Sequence, residues 1–284
     1  MSGLDSGSAA MSRHKPRCLD IFCKAGGSSW GYHLAGFEVW GVDWEAQPRF
    51  PFRDRFIQTD ALEYLHSADL GSFDLLAASP PCQRYSSATP VWARENHSDL
   101  IAPVREALIR SGKPWVIENV PGAPLVNAIM LCGIMFGLRV FRHRFFETSS
   151  LVLAPPHESH GSVRMGQDGY CTITSGGCWR PLATRSPRLG ENGFCSVSGH
   201  GPHSGERRRA GARMGVDGFV TVAGGGNSGM RDRSGGGSIR RRPEDGVAAW
   251  RRAMEIDWMT RDELAQAIPP AYTKFLGEQL IERL

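Results

Sequence analysis

Four groups of residues in this 284-residue chain have types and spacing suited to chemistry. The first is a thiol. Ala78–Ser87 reads A-S-P-P-C-Q-R-Y-S-S and follows the apolar run Phe73–Ala78. Pro80 and Pro81 lack N–H groups and fix φ, so the chain must leave a sheet there, with Cys82 on the exit loop. The polar residues around Cys82 argue against a buried packing thiol and favour a nucleophile. The second is an acid, Glu118, in E-N-V-P at the end of the apolar stretch Trp115–Ile117. The third is a guanidinium pair, Arg142 and Arg144, in V-F-R-H-R-F-F-E. Alternation along a strand over Val140–Glu147 predicts that both project from one face. The fourth is a series of acids and glycines at Gly26-Gly27, Asp43-Trp44 and Asp60.

These groups need a scaffold that delivers them to one edge. Arg17–Phe22 predicts a strand, then a Gly-containing turn (Cys23–Ser29) and a helix over Trp30–Ala35. That is the arrangement by which backbone approaches a ligand and a helix N-terminus points at it. Phe37–Val42 predicts a second strand ending in Asp43. This acid lies 23 residues after Asp20, near the spacing at which a carboxylate takes ribose hydroxyls in doubly wound folds. Phe56–Gln58 predicts a third strand, followed by a helix from Ala61. Three strands ending in Gly-Gly, Asp-Trp and Asp form a nucleoside-binding edge; the competing reading is that all three ends are helix N-caps. A helix over Leu100–Ser111 between the thiol strand and the acid strand predicts neighbouring parallel strands, with Glu118 near Cys82. Leu131–Phe136 predicts a further helix. The tail predicts helices from Val247, from the capping box Thr260-Arg261-Asp262-Glu263, and from Pro270 to the end, the last packing through Tyr272, Phe275, Leu276 and Leu280 and rejoining the first domain.

Residues 151–245 differ in character. They hold 13 Arg, no Lys and 8 acidic residues, and an Arg-only excess suits phosphate and base-edge contact. Three copies of one pattern lie here, beginning at Arg164, Arg188 and Arg213: R-[ML]-G-x-[DN]-G-[FY]-x-[TS]-[IV] and a Gly-rich end. Asp-Gly and Asn-Gly followed by alternation predict β-hairpins. His157, His160, Cys171, Cys178, Cys195, His200 and His203 invite a zinc reading, but no paired C-x-x-C knuckle is present, and no metal is expected. Seven cysteines without close pairs fit a reducing compartment. No run of about 18 apolar residues exists, so no membrane span is expected. The start, Met1–Met11, is small and polar and reads as a disordered arm or an expression scar.

In this order, D-I-F-C-K-A-G-G, S-P-P-C-Q, E-N-V and R-H-R resemble the motifs of the cytosine-C5 DNA methyltransferase family, and I-P-P-A-Y-T-K-F-L-G-E-Q-L is similar to the endings of its compact phage-borne members. The resemblance covers residues 17–150 and 246–284. It implies an α/β, Rossmann-like S-adenosylmethionine-dependent sheet in residues 16–150, completed by 246–284. Residues 151–245 form a β-hairpin-rich, Gly/Arg-rich target-recognition lobe, and residues 1–15 an arm. It implies a monomeric cytoplasmic enzyme acting on double-stranded DNA in a bacterial or phage-infected cell. Cys82 would add to C6 of a flipped cytosine, Glu118 would contact N3, and Arg142 and Arg144 would position the base. The methyl donor would be held by Asp20, Phe22, Lys24, Ala25, Gly26, Gly27, Asp43, Trp44, Asp60, Ala61, Ser79 and Pro81. A cation that activates Cys82 is expected at Arg144 or Arg84. Two departures stand out. Lys24 replaces the family's usual Gly; it either pairs with the donor carboxylate or Glu45, or selects a donor bearing an extra acidic group. Ile268-Pro269-Pro270 replaces the Gly-Asn that opens the last motif. The same residues are compatible with tRNA methylation and with a silent nucleic-acid-binding homologue.

Overall fold

The computed structural model describes residues 14–86, 89–138, 140–157, 171–174, 195–198 and 243–284. Its centre is a seven-stranded sheet. The strands β1 (Arg17–Ile21), β2 (Glu38–Asp43), β3 (Phe56–Gln58), β4 (Leu75–Ala78) and β5 (Trp115–Asn119) lie in the order β3-β2-β1-β4-β5 and run parallel. β6 (Ile129–Leu131) and β8 (Arg144–Thr148) complete it, with β8 antiparallel to both β5 and β6. The sheet reverses its winding at β1, between β2 and β4, the position where open α/β sheets bind ligands beyond the carboxyl ends of the strands.

Strand alternation sorts the core into two layers. Cys18, Val39, Leu75, Ala77 and Val116 face one side, under Tyr32 of α1 (Gly27–Leu34) and Tyr272, Leu276 and Leu280 of α6 (Pro270–Ile281). Leu19, Ile21, Val42, Leu76, Ala78 and Ile117 face the other, under Leu65 of α2 (Ala61–Ser67) and Val104 and Leu108 of α3 (Ile101–Arg110). With both faces covered, β1 and β4 have no solvent side to alternate for, which is why they read as nearly continuous apolar runs.

The tail rejoins the first domain, as its helical pattern predicts. α4 (Pro243–Met254) and α5 (Arg261–Gln266) lead into α6, and Thr260 and Glu263 form the expected capping box. α6 crosses α1 at small residues: a Cβ on Gly31 would overlap the Thr273 hydroxyl and the Pro270 carbonyl, and one on Gly277 would come within 2.6 Å of Ala35 Cβ. Thr273 Oγ1 donates to the Ser28 carbonyl at 2.8 Å and Trp258 Nε1 to the Ala25 carbonyl at 2.8 Å.

Two expectations are corrected. The predicted strand over Val140–Glu147 is broken: β7 (Val140–Phe141) joins a second sheet and β8 the main one, with Arg142 and His143 in the break. The predicted helix over Leu131–Phe136 is a single 3-10 turn at Gly133–Phe136 following β6. In the repeat segment, β9 (Cys171–Thr174) and β10 (Cys195–Ser198) are the corresponding strands of the first two copies. They run parallel, with Cys171 opposite Cys195, and β9 pairs parallel with β7. Copies of one pattern that stack with equivalent positions in register must run parallel, and the roughly 20-residue connection between them is long enough for the crossover that parallel pairing requires. Beyond these strands, the hairpin expectation for the three copies lies outside the described residues, as does the arm at 1–13.

The α1–α6 crossing yields a direct prediction. Gly31→Val should lower stability by about 1–3 kcal/mol or more, the usual overpacking range, because the clashing atoms include backbone. A drop in melting temperature, much larger than that of Ile109→Val at an exposed position of α3, checks it.

Candidate active site

β4 ends at Ala78, and the N–H of Ser79 just after it donates to the Ile21 carbonyl at 3.0 Å before the two prolines lift the chain off the sheet. Asn119, at the end of β5, fixes the loop's height: its Nδ2 donates to the Pro80 carbonyl at 2.9 Å. The Cys82 carbonyl then accepts from Tyr85 N at 3.0 Å and Ser86 N at 2.8 Å, closing a turn on the thiol residue. Cys82 is half-buried. Its neighbour strand β5 runs two residues further than the apolar run suggests, so Glu118 is a strand residue and buried. β8, antiparallel on the far side of β5, brings in Arg144, whose Nε lies 3.0 Å from Glu118 Oε1 with both groups buried.

The electrostatics follow from this triangle. Burial pushes the Cys82 thiol above its ordinary value; Arg144 pulls it down, Glu118 pushes it up and Arg142 pulls it down. Burial also pushes Glu118 up, against Arg144, Arg142 and a hydrogen bond with the Ser79 side chain. A carboxyl raised in this way can carry a proton, and a thiol beside two guanidiniums can lose one. Of the two candidate cations, Arg144 is the one in place. Arg84 instead donates to the His97 carbonyl at 3.1 Å.

Arg142 does not share a strand with Arg144, because the chain breaks between β7 and β8. It is fully buried; its Nη2 donates to the Ala265 carbonyl at 2.9 Å, its carbonyl accepts from the Tyr272 hydroxyl at 2.6 Å, and its Nε and Nη1 have no hydrogen-bond partner. It acts on Cys82 and Glu118 through its charge, and burial and Arg144 lower its own pKa.

The second set of expected residues lies along the β1–β2–β3 edge. The turn after β1 takes left-handed backbone at Phe22 (φ 62), Lys24 (φ 46) and Gly26 (φ 81). Phe22 and Lys24 pay a steric penalty there that Gly26 does not. Buried Asp43 offsets it: Oδ2 accepts from Lys24 N at 3.0 Å and Oδ1 from Glu45 N at 3.1 Å. Lys24 Nζ meets Glu45 Oε2 at 2.8 Å and Asp43 Oδ1 at 3.7 Å. Trp44 is 67% exposed beside them. Asp60 is an N-cap, its Oδ1 accepting from Leu62 N and Glu63 N at 2.9 Å, so the capping reading holds for this acid and not for Asp43. Ala61 opens α2 beneath it.

One observation fits these residues to an S-adenosyl donor: Gly26 caps α1 without a side-chain hydrogen bond, so no side chain occupies the amides with which a helix N-terminus takes a carboxylate. A cavity of about 350 Å³ lies between Lys24, Glu45–Pro48, Glu263 and Gln266, and of the residues expected to hold the donor only Lys24 lines it. Ile268 keeps the place of the missing Gly-Asn pair, its carbonyl packed so closely on Gly27 that a Cβ there would come within 2.6 Å. Asp20 is different. It is fully buried and bonded to the Ser29 hydroxyl of α1, so it anchors the helix from within the sheet.

With this geometry established, comparison places it among known proteins. Residues 16–127, which include Cys82 and Glu118, match the family described as C-5 cytosine-specific DNA methylase. By that match the segment belongs to the cytosine-C5 methyltransferase family. The methylase segment ends before Arg142 and Arg144, which the fold supplies. A DNA modification methyltransferase encoded within an E. coli prophage shares that fold, with TM-score 0.53, 13% identity, and 94% of this chain and 99% of that one covered. The S. pombe Dnmt2 methyltransferase (TM-score 0.48, 13% identity, 95% and 99% covered) and the Entamoeba histolytica methyltransferase EhMeth (0.39, 16%, 52% and 58%) are more distant in shape. No curated protein matches the chain in sequence.

Sequence reasoning missed three supports of the methylase site. Ser79 touches Glu118 through its side chain, not only through the loop. Asn119 holds the thiol loop. Arg105 of α3 grips Glu147 with two 2.7 Å bonds and so braces the strand that carries Arg144. Only Asn119 had a local signal, its place beside Glu118 in E-N-V.

Two predictions arise here. Arg144→Ala removes the leading charge that lowers the pKa of both Cys82 and Glu118, so both should titrate higher; the pH at which Cys82 reacts with a thiol reagent should move to alkaline values. The second concerns Asp20, pushed up to about 7 by burial, against the Ser29 hydrogen bond and with the Asp43 charge adding to the rise. Folding therefore favours protonated Asp20. Its contribution is complete below the ordinary carboxylate value of about 3.9 and is lost as pH rises through about 7. The melting temperature of Asp20→Asn, relative to the unaltered protein, should climb between pH 4 and pH 8.

Proposed function

We propose that the protein transfers a methyl group from S-adenosylmethionine to C5 of a cytosine in double-stranded DNA through a covalent Cys82–C6 bond. The observation that supports this reading above others is the convergence of Cys82, Glu118 and Arg144 at the ends of three adjacent strands. C5 of cytosine is a poor nucleophile, and adding a thiolate to C6 makes it enamine-like. Cys82 gives up its proton to solvent water under the Arg144 and Arg142 charges and bonds to C6 as the thiolate. Glu118 delivers a proton to N3, where negative charge develops. The donor would supply an electrophilic methyl, which C5 takes as the sulfonium sulfur leaves as a neutral thioether. A water molecule then takes the C5 proton, whose electron pair re-forms the C5–C6 double bond as the Cys82 thiolate is expelled, and N3 returns its proton to Glu118. Reaching C6 in a duplex requires the base to leave the stack, at about a few kcal/mol, and phosphate contacts from the arginines of 151–245 would offset that.

The arginine bias favours duplex DNA over tRNA. The Lys24–Glu45 pair favours the ordinary donor, since the ammonium is already balanced by two carboxylates. No helix among the described residues is long and apolar enough to cross a membrane, in keeping with a cytoplasmic enzyme, which the proposal takes to act as a monomer.

The test is covalent capture. Duplex DNA containing 5-fluorocytosine should form a denaturation-resistant complex with the protein in the presence of donor. Cys82→Ser should form none, and Glu118→Gln should react about 100-fold or more slowly. A Cys82→Ser protein that still traps DNA overturns the nucleophile; trapping of tRNA in preference to duplex DNA overturns the substrate. Mass spectrometry of treated DNA should show 5-methylcytosine as the sole new base, and a heavier, acidic adduct would return Lys24 to the role of donor selector.

A further inference from the structure

Three residues that the methylation chemistry does not use converge beside the broken strand. Cys132 follows β6, His143 occupies the break between β7 and β8, and His157 lies beyond β8. Their ligand atoms all lie within 4.8 Å of one another. The two imidazole Nε2 atoms are 3.4 Å apart, and the rings are tilted by 64° so that their edges converge. Tetrahedral zinc with nitrogen bonds of about 2.0–2.1 Å separates two nitrogens by about 3.3–3.4 Å, and its longer bond to sulfur sets nitrogen and sulfur about 3.6 Å apart. The histidines already stand at the first spacing, and the sulfur has at most about 1.2 Å to close to reach the second.

The backbone groups of Ile134, Arg142 and Gly133 form a ring of hydrogen-bond donors around the Cys132 sulfur. Gly133 makes the ring possible, because a Cβ there would overlap the Val140 carbonyl. One thiolate and two imidazoles, without a carboxylate, suit zinc and not magnesium or calcium.

We propose that Cys132, His143 and His157 bind a zinc ion that ties the segment carrying Arg142 and Arg144 to the start of the arginine-rich segment. With three protein ligands, a fourth position remains for water or another donor. The site differs from the Cys/His set that the sequence of 151–245 suggests: it shares only His157, and two of its three ligands precede that segment.

The test uses the full chain, equilibrated with zinc and passed over a chelating resin. Elemental analysis should find about one zinc per chain, falling below about a tenth of that in both Cys132→Ser and His157→Gln. Cobalt in place of zinc should give the visible bands of a tetrahedral ion and a thiolate charge-transfer band, the latter lost in Cys132→Ser. His157→Gln, at a partly exposed position, should retain the circular dichroism of the parent, separating metal loss from unfolding. Chelation should lower the melting temperature of the parent but not of His157→Gln. A parent chain that holds no zinc after equilibration leaves a plain His–His hydrogen bond and overturns the proposal. Zinc retained equally in both variants places the ion elsewhere and also overturns it.

Discussion

The buried pairing of Glu118 with Arg144 is the constraint on which the site depends. Removing two charges from water costs several kcal/mol per ion after relaxation, and mutual attraction returns this only with good geometry. Here the geometry comes from the sheet: β5 and β8 are antiparallel neighbours, so the register that sets Glu118 opposite Phe146 also sets the reach of Arg144. The pair is kept in a position where an apolar pair of similar volume could serve stability equally well. Cys82 gives it a purpose. A half-buried thiol needs a nearby cation to ionise, and a lone buried guanidinium needs a carboxylate to be tolerated. Each of the three groups makes another affordable.

The parts of the chain distant in sequence serve this arrangement by bracing it. α3 grips β8 through Arg105 and Glu147, the tail takes the Arg142 guanidinium at Ala265 and its carbonyl at Tyr272, and Trp258 pins the turn after β1. Residues 246–284 are thus a wall of the domain built on the seven-stranded sheet, separated from it in sequence by the repeat segment but continuous with it in space.

Much of this was legible beforehand because parallel strands buried on both faces leave unmistakable apolar runs, and prolines and glycines mark where they end. The adjacency of Cys82 and Glu118 followed from one strand–helix–strand unit. The split at Arg142 did not, because alternation of Phe141, His143 and Phe145 with arginine is the same whether a strand is whole or changes sheets. The role of Asp43 was only half legible: its spacing marks a strand end, but the Lys24 and Glu45 amides it holds are backbone groups that no side-chain pattern announces. The pairing direction in the repeats was hidden for a related reason. Asp-Gly signals a tight turn, but only the equivalence of whole copies signals stacking, and here the second signal governs the pairing of β9 with β10. The meeting of Cys132, His143 and His157 has no spacing signature, since three separate elements deliver it.

The stacked copies have a consequence for how such a protein can vary. β9 and β10, equivalent strands of two copies, form a ladder that starts from β7, and the chain carries a third copy of the pattern at Arg213–Gly226. A ladder of this kind lengthens or shortens by whole copies, each docking on the last by the same rule, without disturbing the seven strands that hold the thiol. A single inserted residue within a rung, by contrast, would turn every following side chain to the opposite face. Variation in reach is therefore quantised at about two dozen residues, and the catalytic sheet is insulated from it by the two-residue strand where the ladder begins.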